Sequence, residues 1–101
     1  MMDKSLNLEQ AALCVNQALI GAISPNFRAV LLKHNESRYV VTFILQERIS
    51  EDLDEIMDFE TTLEAMIGTG SVFSTEVLVS QSDIVLEPPS GSSICIFRRR
   101  E

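Results

Sequence analysis

The 101-residue sequence has no tryptophan, one tyrosine, one histidine, two cysteines, three prolines and four glycines. Each scarcity removes a class of function. His34 sits in His34-Asn35-Glu36-Ser37, which reads as a hairpin turn, a poor place to hold a general base against an orienting partner. Cys14 and Cys95 fall within apolar patterns, with no neighbouring Cys or His at metal-ligand spacing, so the expectation is two buried free thiols. A disulfide joining the two ends would require export, and Met1 to Asn7 shows no signal-peptide pattern, which leaves the cytoplasm as the default location. Gly68-Thr69-Gly70-Ser71 lacks the lysine of a phosphate-binding loop and follows a helical pattern instead of a strand. No Ser-His-Asp or Cys-His constellation is suggested, so the reading is not an enzyme, with no cofactor and no metal.

Positive charge is also scarce. Eight basic residues against fifteen acidic ones leave a net charge of −7, which disfavours nucleic acid and anionic membranes as direct partners and favours a cationic one. The commoner reason for acidic balance is solubility. No apolar run approaches the roughly 18 residues of a membrane span. A hydrophobic content of 46% argues against disorder, and the length suits one domain over residues 1–101 with a single core.

What is present is organised around Ser50 to Ile67. Leu53, Ile56, Met57, Leu63 and Ile67 recur at helical spacing, and at about 100° per residue Phe59 and Met66 widen the same stripe. Glu51, Asp54, Glu55 and Asp58 point the other way. Ser50 is placed to cap the helix, and the acids crowd the end where the helix dipole favours negative charge.

Before it, Leu8, Ala11, Ala12, Val15, Leu19 and Ala22 mark one face of a first helix, with Gly21 near its stop and Ser24-Pro25-Asn26 as a turn. Phe27 to Lys33 and Arg38 to Gln46 read as an antiparallel pair; in the second, Tyr39, Val41, Phe43 and Leu45 share one face and Val40, Thr42, Ile44 and Gln46 the other. After the acidic helix come strands at Phe73 to Ser80 and Ser93 to Arg99, a short edge strand at Asp83 to Leu86, and a loop at Pro88 to Ser92. The order α-β-β-α-β-β predicts an α+β fold, two helices packed on one face of a mostly antiparallel sheet of four or five strands.

Three features carry candidate chemistry. Glu51, Asp54, Glu55 and Asp58 lie at i, i+3, i+4 and i+7, with Asp52 at the rim. The face is read as solvated, as protein-binding or as a metal site, the last disfavoured because calcium sites wrap a flexible loop and magnesium wants a phosphate partner. Glu60 falls within the apolar stripe, where a carboxylate must be paired or neutralised. Arg28 is its candidate partner in a structural ion pair; the alternative is that Glu60 reaches water from the stripe's edge. The arginines 98–100 read as a solubilising tail that could also meet the acidic helix.

Three segments together, Gly21-Ala22-Ile23-Ser24-Pro25-Asn26-Phe27-Arg28-Ala29-Val30, Ser50-Glu51-Asp52-Leu53-Asp54-Glu55-Ile56 with Glu60 following, and Arg98-Arg99-Arg100-Glu101, resemble small bacterial proteins encoded beside polymorphic toxins, including immunity proteins of contact-dependent growth inhibition systems. The resemblance implies a protein that binds and neutralises a cognate toxin without catalysis. Toxins that cleave RNA or DNA have cationic clefts, which an acidic helix can occupy, so Glu51, Asp52, Asp54, Glu55 and Asp58 become the candidate partner-binding residues. The rival reading is a homo-oligomeric structural or adaptor domain, a homodimer pairing Val40, Thr42 and Ile44 across a two-fold axis.

Overall fold

A computed structural model describes residues 8–35, 38–67, 72–82 and 92–99. The elements run α1 (Leu8–Ala18), β1 (Phe27–Asn35), β2 (Arg38–Leu45), α2 (Ser50–Ile67), β3 (Val72–Val79) and β4 (Ser93–Arg98), the expected order, with four strands. The sheet order is β3-β2-β1-β4. β1 is antiparallel to both β2 and β4, whereas β3 runs parallel to β2. A parallel neighbour cannot be reached by a hairpin, and α2 is the crossover that makes it. The expected edge strand at Asp83 to Leu86, the loop from Pro88 to Gly91, the glycine stop at Gly68 to Gly70, and Arg100 and Glu101 lie outside the described residues.

The core lies between the helices and one face of the sheet. Ala11, Val15 and Ala18 of α1 and Ile56, Phe59 and Leu63 of α2 cover Phe27, Val30 and Leu32 of β1 and Tyr39, Val41, Phe43 and Leu45 of β2. Phe43 sits at the centre, meeting Phe27 edge-on at 5.9 Å and Phe59 edge-on at 5.2 Å, the geometry that sets a positive ring edge on a negative ring face. α1 touches α2 and β4, which places it over the β1–β4 half of the sheet and α2 over the β2–β3 half.

Local chemistry explains the boundaries. α1 stops at Ala18, earlier than Leu19 and Ala22 suggest; both remain buried in the turn that follows, where Gly21 takes a φ of 83°. At α2 the carbonyl of Ile49 accepts from the amides of Asp52 and Leu53, so Ile49 and not Ser50 occupies the cap position. β1 is longer than expected, and His34 belongs to it. The imidazole stacks on Tyr39 at 4.3 Å, and Tyr39 stacks on Phe73 at 4.9 Å, so an aromatic column across three strands replaces the expected exposed turn.

Register shifts at two places. Phe27 and Ala29 oppose Leu45 and Ile44, leaving Arg28 as the extra residue in β1, and Ile96 is the extra residue in β4 between Cys95 and Phe97. A bulge re-aims a side chain, which is how Arg28 escapes strict alternation. On the sheet's other face Thr42 and Ile44 are only 4% and 7% exposed. Both cysteines are free; Cys14 is half-buried but Cys95 is exposed, correcting the expectation of two buried thiols, because β4 is an edge strand and Cys95 points away from the helices.

Candidate functional site

The acidic face of α2 is built as a helix of this length dictates. Glu51, Asp54, Glu55 and Asp58 are all exposed and, at about 100° per residue, fall within a sector about 100° wide on the solvent side of the helix. No hydrogen bond or ion pair joins any of the four to another described residue. Among the described residues no group of three His, Cys, Asp or Glu side chains is arranged to hold a metal ion, so these carboxylates project side by side without converging. What they make is a field of one sign, suited to a positively charged surface.

Asp52 does not belong to that face. It is 5% exposed, and its carboxylate is held from inside: Ser24 Oγ donates to Oδ1 at 2.8 Å and Asn26 Nδ2 donates to Oδ2 at 2.8 Å. Helical spacing places it there. Asp52, Ile56, Phe59 and Leu63 stand at i, i+4, i+7 and i+11, and this is the stripe that faces the sheet. Ile56, Phe59 and Leu63 of the expected stripe are buried, but Met57, also placed in it, is 64% exposed and Met66 39% exposed. The two methionines flank the acidic sector on either side, adding apolar, adaptable contact area to it.

Arg28 takes partners other than the one expected. The residue is 5% exposed, and its Nη1 donates to the carbonyls of Ser80 at 2.8 Å and Ser82 at 2.6 Å, tying the end of β3 to the start of β1. Glu60 is half-buried at the edge of the stripe, and no ion pair joins it to Arg28. A bulged arginine beneath a turn satisfies carbonyls that strand pairing leaves free.

Around Arg28 the three segments that carried the resemblance meet. Asn26 is the hub: its side chain donates to the Glu47 carbonyl at 2.7 Å, accepts from the Glu47 amide at 2.9 Å, and its carbonyl accepts from the Gln46 amide at 2.9 Å. Arg99 Nη1 donates to the Pro25 carbonyl at 2.7 Å and to Gln46 Oε1 at 3.0 Å, while its amide bonds the Arg28 carbonyl at 2.8 Å. Arg28, Gln46, Gln81 and Arg99 line a depression of about 350 Å³ at this end of the sheet. Ser24-Pro25-Asn26, the start of α2 and Arg99 thus form one polar clasp. Asn26 and Arg99 were not foreseen in it, and the signal that could have found Asn26 is its place after Pro25, where a side-chain amide commonly closes a turn.

Comparison with curated proteins finds no match. A family model does match, over residues 9–101 and so over nearly the whole chain: the clasp, the acidic helix and all four strands lie within a single family pattern. The chain belongs to the MafI2 immunity protein family.

Proposed function

We infer that this protein neutralises a cognate toxin by laying the outer face of α2 across a cationic cleft of the toxin, such as the active site of an enzyme that cleaves RNA or DNA. The observation that carries the reading is the exposure of Glu51, Asp54, Glu55 and Asp58 on one face, with no bond to the described remainder of the chain. Membership of an immunity family supplies the partner class. Four carboxylates spaced along two turns mimic the charge of a phosphate run, and a net charge of −7 steers a basic domain toward them before contact. Inhibition by occupancy requires no chemistry from the inhibitor.

The homodimer reading loses ground, because Thr42 and Ile44, which would form its interface, are already removed from water within the chain. The test is to replace the four acids together by Gln or Asn and measure association with the product of the gene immediately upstream. Steering of this kind raises association rates by roughly 10- to 1,000-fold. The quadruple variant is expected to associate at least ~10-fold more slowly at low salt, with a flattened salt dependence and an unchanged unfolding curve. Kinetics identical to the parent protein would remove this face from the interface.

A further inference from the structure

The two edges of the sheet differ in a way the fold does not require. β4 is six residues long and carries the bulge at Ile96, both devices that discourage another strand from pairing. β3 has neither. Its eight residues pair with β2 in unbroken register from Arg38↔Val72 to Leu45↔Val79, and no described residue pairs with its outer side.

The direction of its backbone groups follows from one bond. In a parallel ladder the N–H and C=O of one residue point to the same neighbour and those of the next residue point away. The Ser80 amide donates to the Leu45 carbonyl at 2.9 Å, so Ser74, Glu76 and Leu78 also bond inward to β2. Phe73, Thr75, Val77 and Val79 therefore turn their N–H and C=O groups outward. The described residues that follow Val79 turn away from that edge: the carbonyls of Ser80 and Ser82 are held by Arg28 of β1, on the inner side of β2.

We propose that β3 is a docking edge, where an extended, lysine- or arginine-bearing segment of the toxin adds as a fifth strand. This rests on the immunity reading and deepens it. The charge distribution selects that occupant. β3 carries one charged side chain, the exposed Glu76, and lies in the half of the sheet beneath the acidic α2, where the one basic neighbour among the residues paired with it is Arg38 at its start, while Arg98 and Arg99 mark the far side. A cationic strand on β3 alternates its side chains between the two faces of the sheet, some toward Glu76, which lies beside Thr42 on the face away from the helices, and the others toward the side that carries the acids of α2. A second copy of this chain would bring two acidic halves, each from a molecule of net charge −7, against one another.

The experiment is residue-resolved amide exchange on the free protein and on its complex with the product of the gene immediately upstream, alongside the affinity of Thr75→Pro and Thr75→Ala. Proline at Thr75 removes an outward N–H without taking a bond from the β2 ladder. In the complex, exchange at Phe73, Thr75, Val77 and Val79 is expected to slow at least ~10-fold, with Ser74, Glu76 and Leu78 already slow in the free protein. Thr75→Pro is expected to weaken binding at least ~10-fold while Thr75→Ala does not. A complex in which the four outward amides exchange as before overturns strand addition and leaves the acidic face of α2 as the interface. Failure of any complex to form overturns both readings. Protection that appears in the free protein as its concentration rises overturns the toxin as occupant in favour of a second copy.

Discussion

Removing the Asp52 carboxylate tests whether the start of α2 is held by the clasp or by its dipole alone. In Asp52→Ala two hydrogen bonds to a charged acceptor vanish, those from Ser24 Oγ and Asn26 Nδ2, both at 2.8 Å, at a residue 5% exposed. Bonds of this kind contribute roughly 1.5–3 kcal/mol each when one partner is deleted. The sum is reduced because Asn26 Nδ2 keeps the Glu47 carbonyl at 2.7 Å and Ser24 can turn to water. Loss of a negative charge from the first turn of a helix adds about 0.3–1 kcal/mol. The expected net loss is about 3 kcal/mol, which for a domain of this size lowers the melting midpoint by on the order of 15 °C. Urea unfolding of Asp52→Ala, Asn26→Ala and the double variant reads it directly. The two single losses should exceed the double by at least ~1 kcal/mol, since both remove the same contact. A loss under ~0.5 kcal/mol for Asp52→Ala, the scale of an ordinary surface substitution, would refute the reasoning and return Asp52 to the solvated face.

Arg28→Met leaves the Ser80 and Ser82 carbonyls without their donor and is expected to cost about 2–4 kcal/mol in denaturant unfolding, whereas Glu60→Gln should stay within ~0.5 kcal/mol; a large effect of Glu60→Gln that disappears in the Arg28→Met background would restore the ion pair. Burial raises the Tyr39 hydroxyl above its ordinary value of 10.0. The unfolded chain therefore ionises first, so the contribution of this group is constant below pH 10.0 and falls as pH climbs through the folded value. Stability measured from pH 8 to about 11 should decline more steeply for the parent than for Tyr39→Phe, and parallel curves would contradict that.

The fold was legible because its information is periodic. Tyr39, Val41, Phe43 and Leu45 alternate without interruption, and α1 and α2 each carry one apolar stripe, so element order and the covered face followed from patterning. What escaped was set by single residues. On α2 the periodic stripe takes in Met57 because methionine is apolar and leaves out Asp52, and which of the two turns inward depends on whether Asp52 finds donors inside. Those donors, Ser24 and Asn26, are 28 and 26 residues away in sequence, and no local pattern brings them there. Strict alternation sets Arg28 toward Glu60, and a one-residue bulge cancels alternation locally. The parallel placement of β3 is likewise a choice among pairings that strand propensity leaves equal.

One helix therefore carries two sets of carboxylates under different constraints. Asp52 faces inward and is bonded to the turn before β1; Glu51, Asp54, Glu55 and Asp58 face outward and hold nothing in the described chain. Substitutions in the second set change the field that a partner meets while leaving the clasp untouched, because sites that share no partners contribute to stability independently. For an inhibitor matched to one toxin, this separation lets the outer face be rewritten to suit a different cationic surface without re-solving the fold. The inner carboxylate has no such freedom: a neutral residue there loosens the start of α2, and with it the orientation of every acid on the outer face. Under the proposed docking, affinity for the toxin is expected to depend on Asp52 through geometry and on the other four through charge. The two dependences separate under salt, since raising ionic strength screens the exposed acids and leaves the buried bonds of Asp52 nearly unchanged.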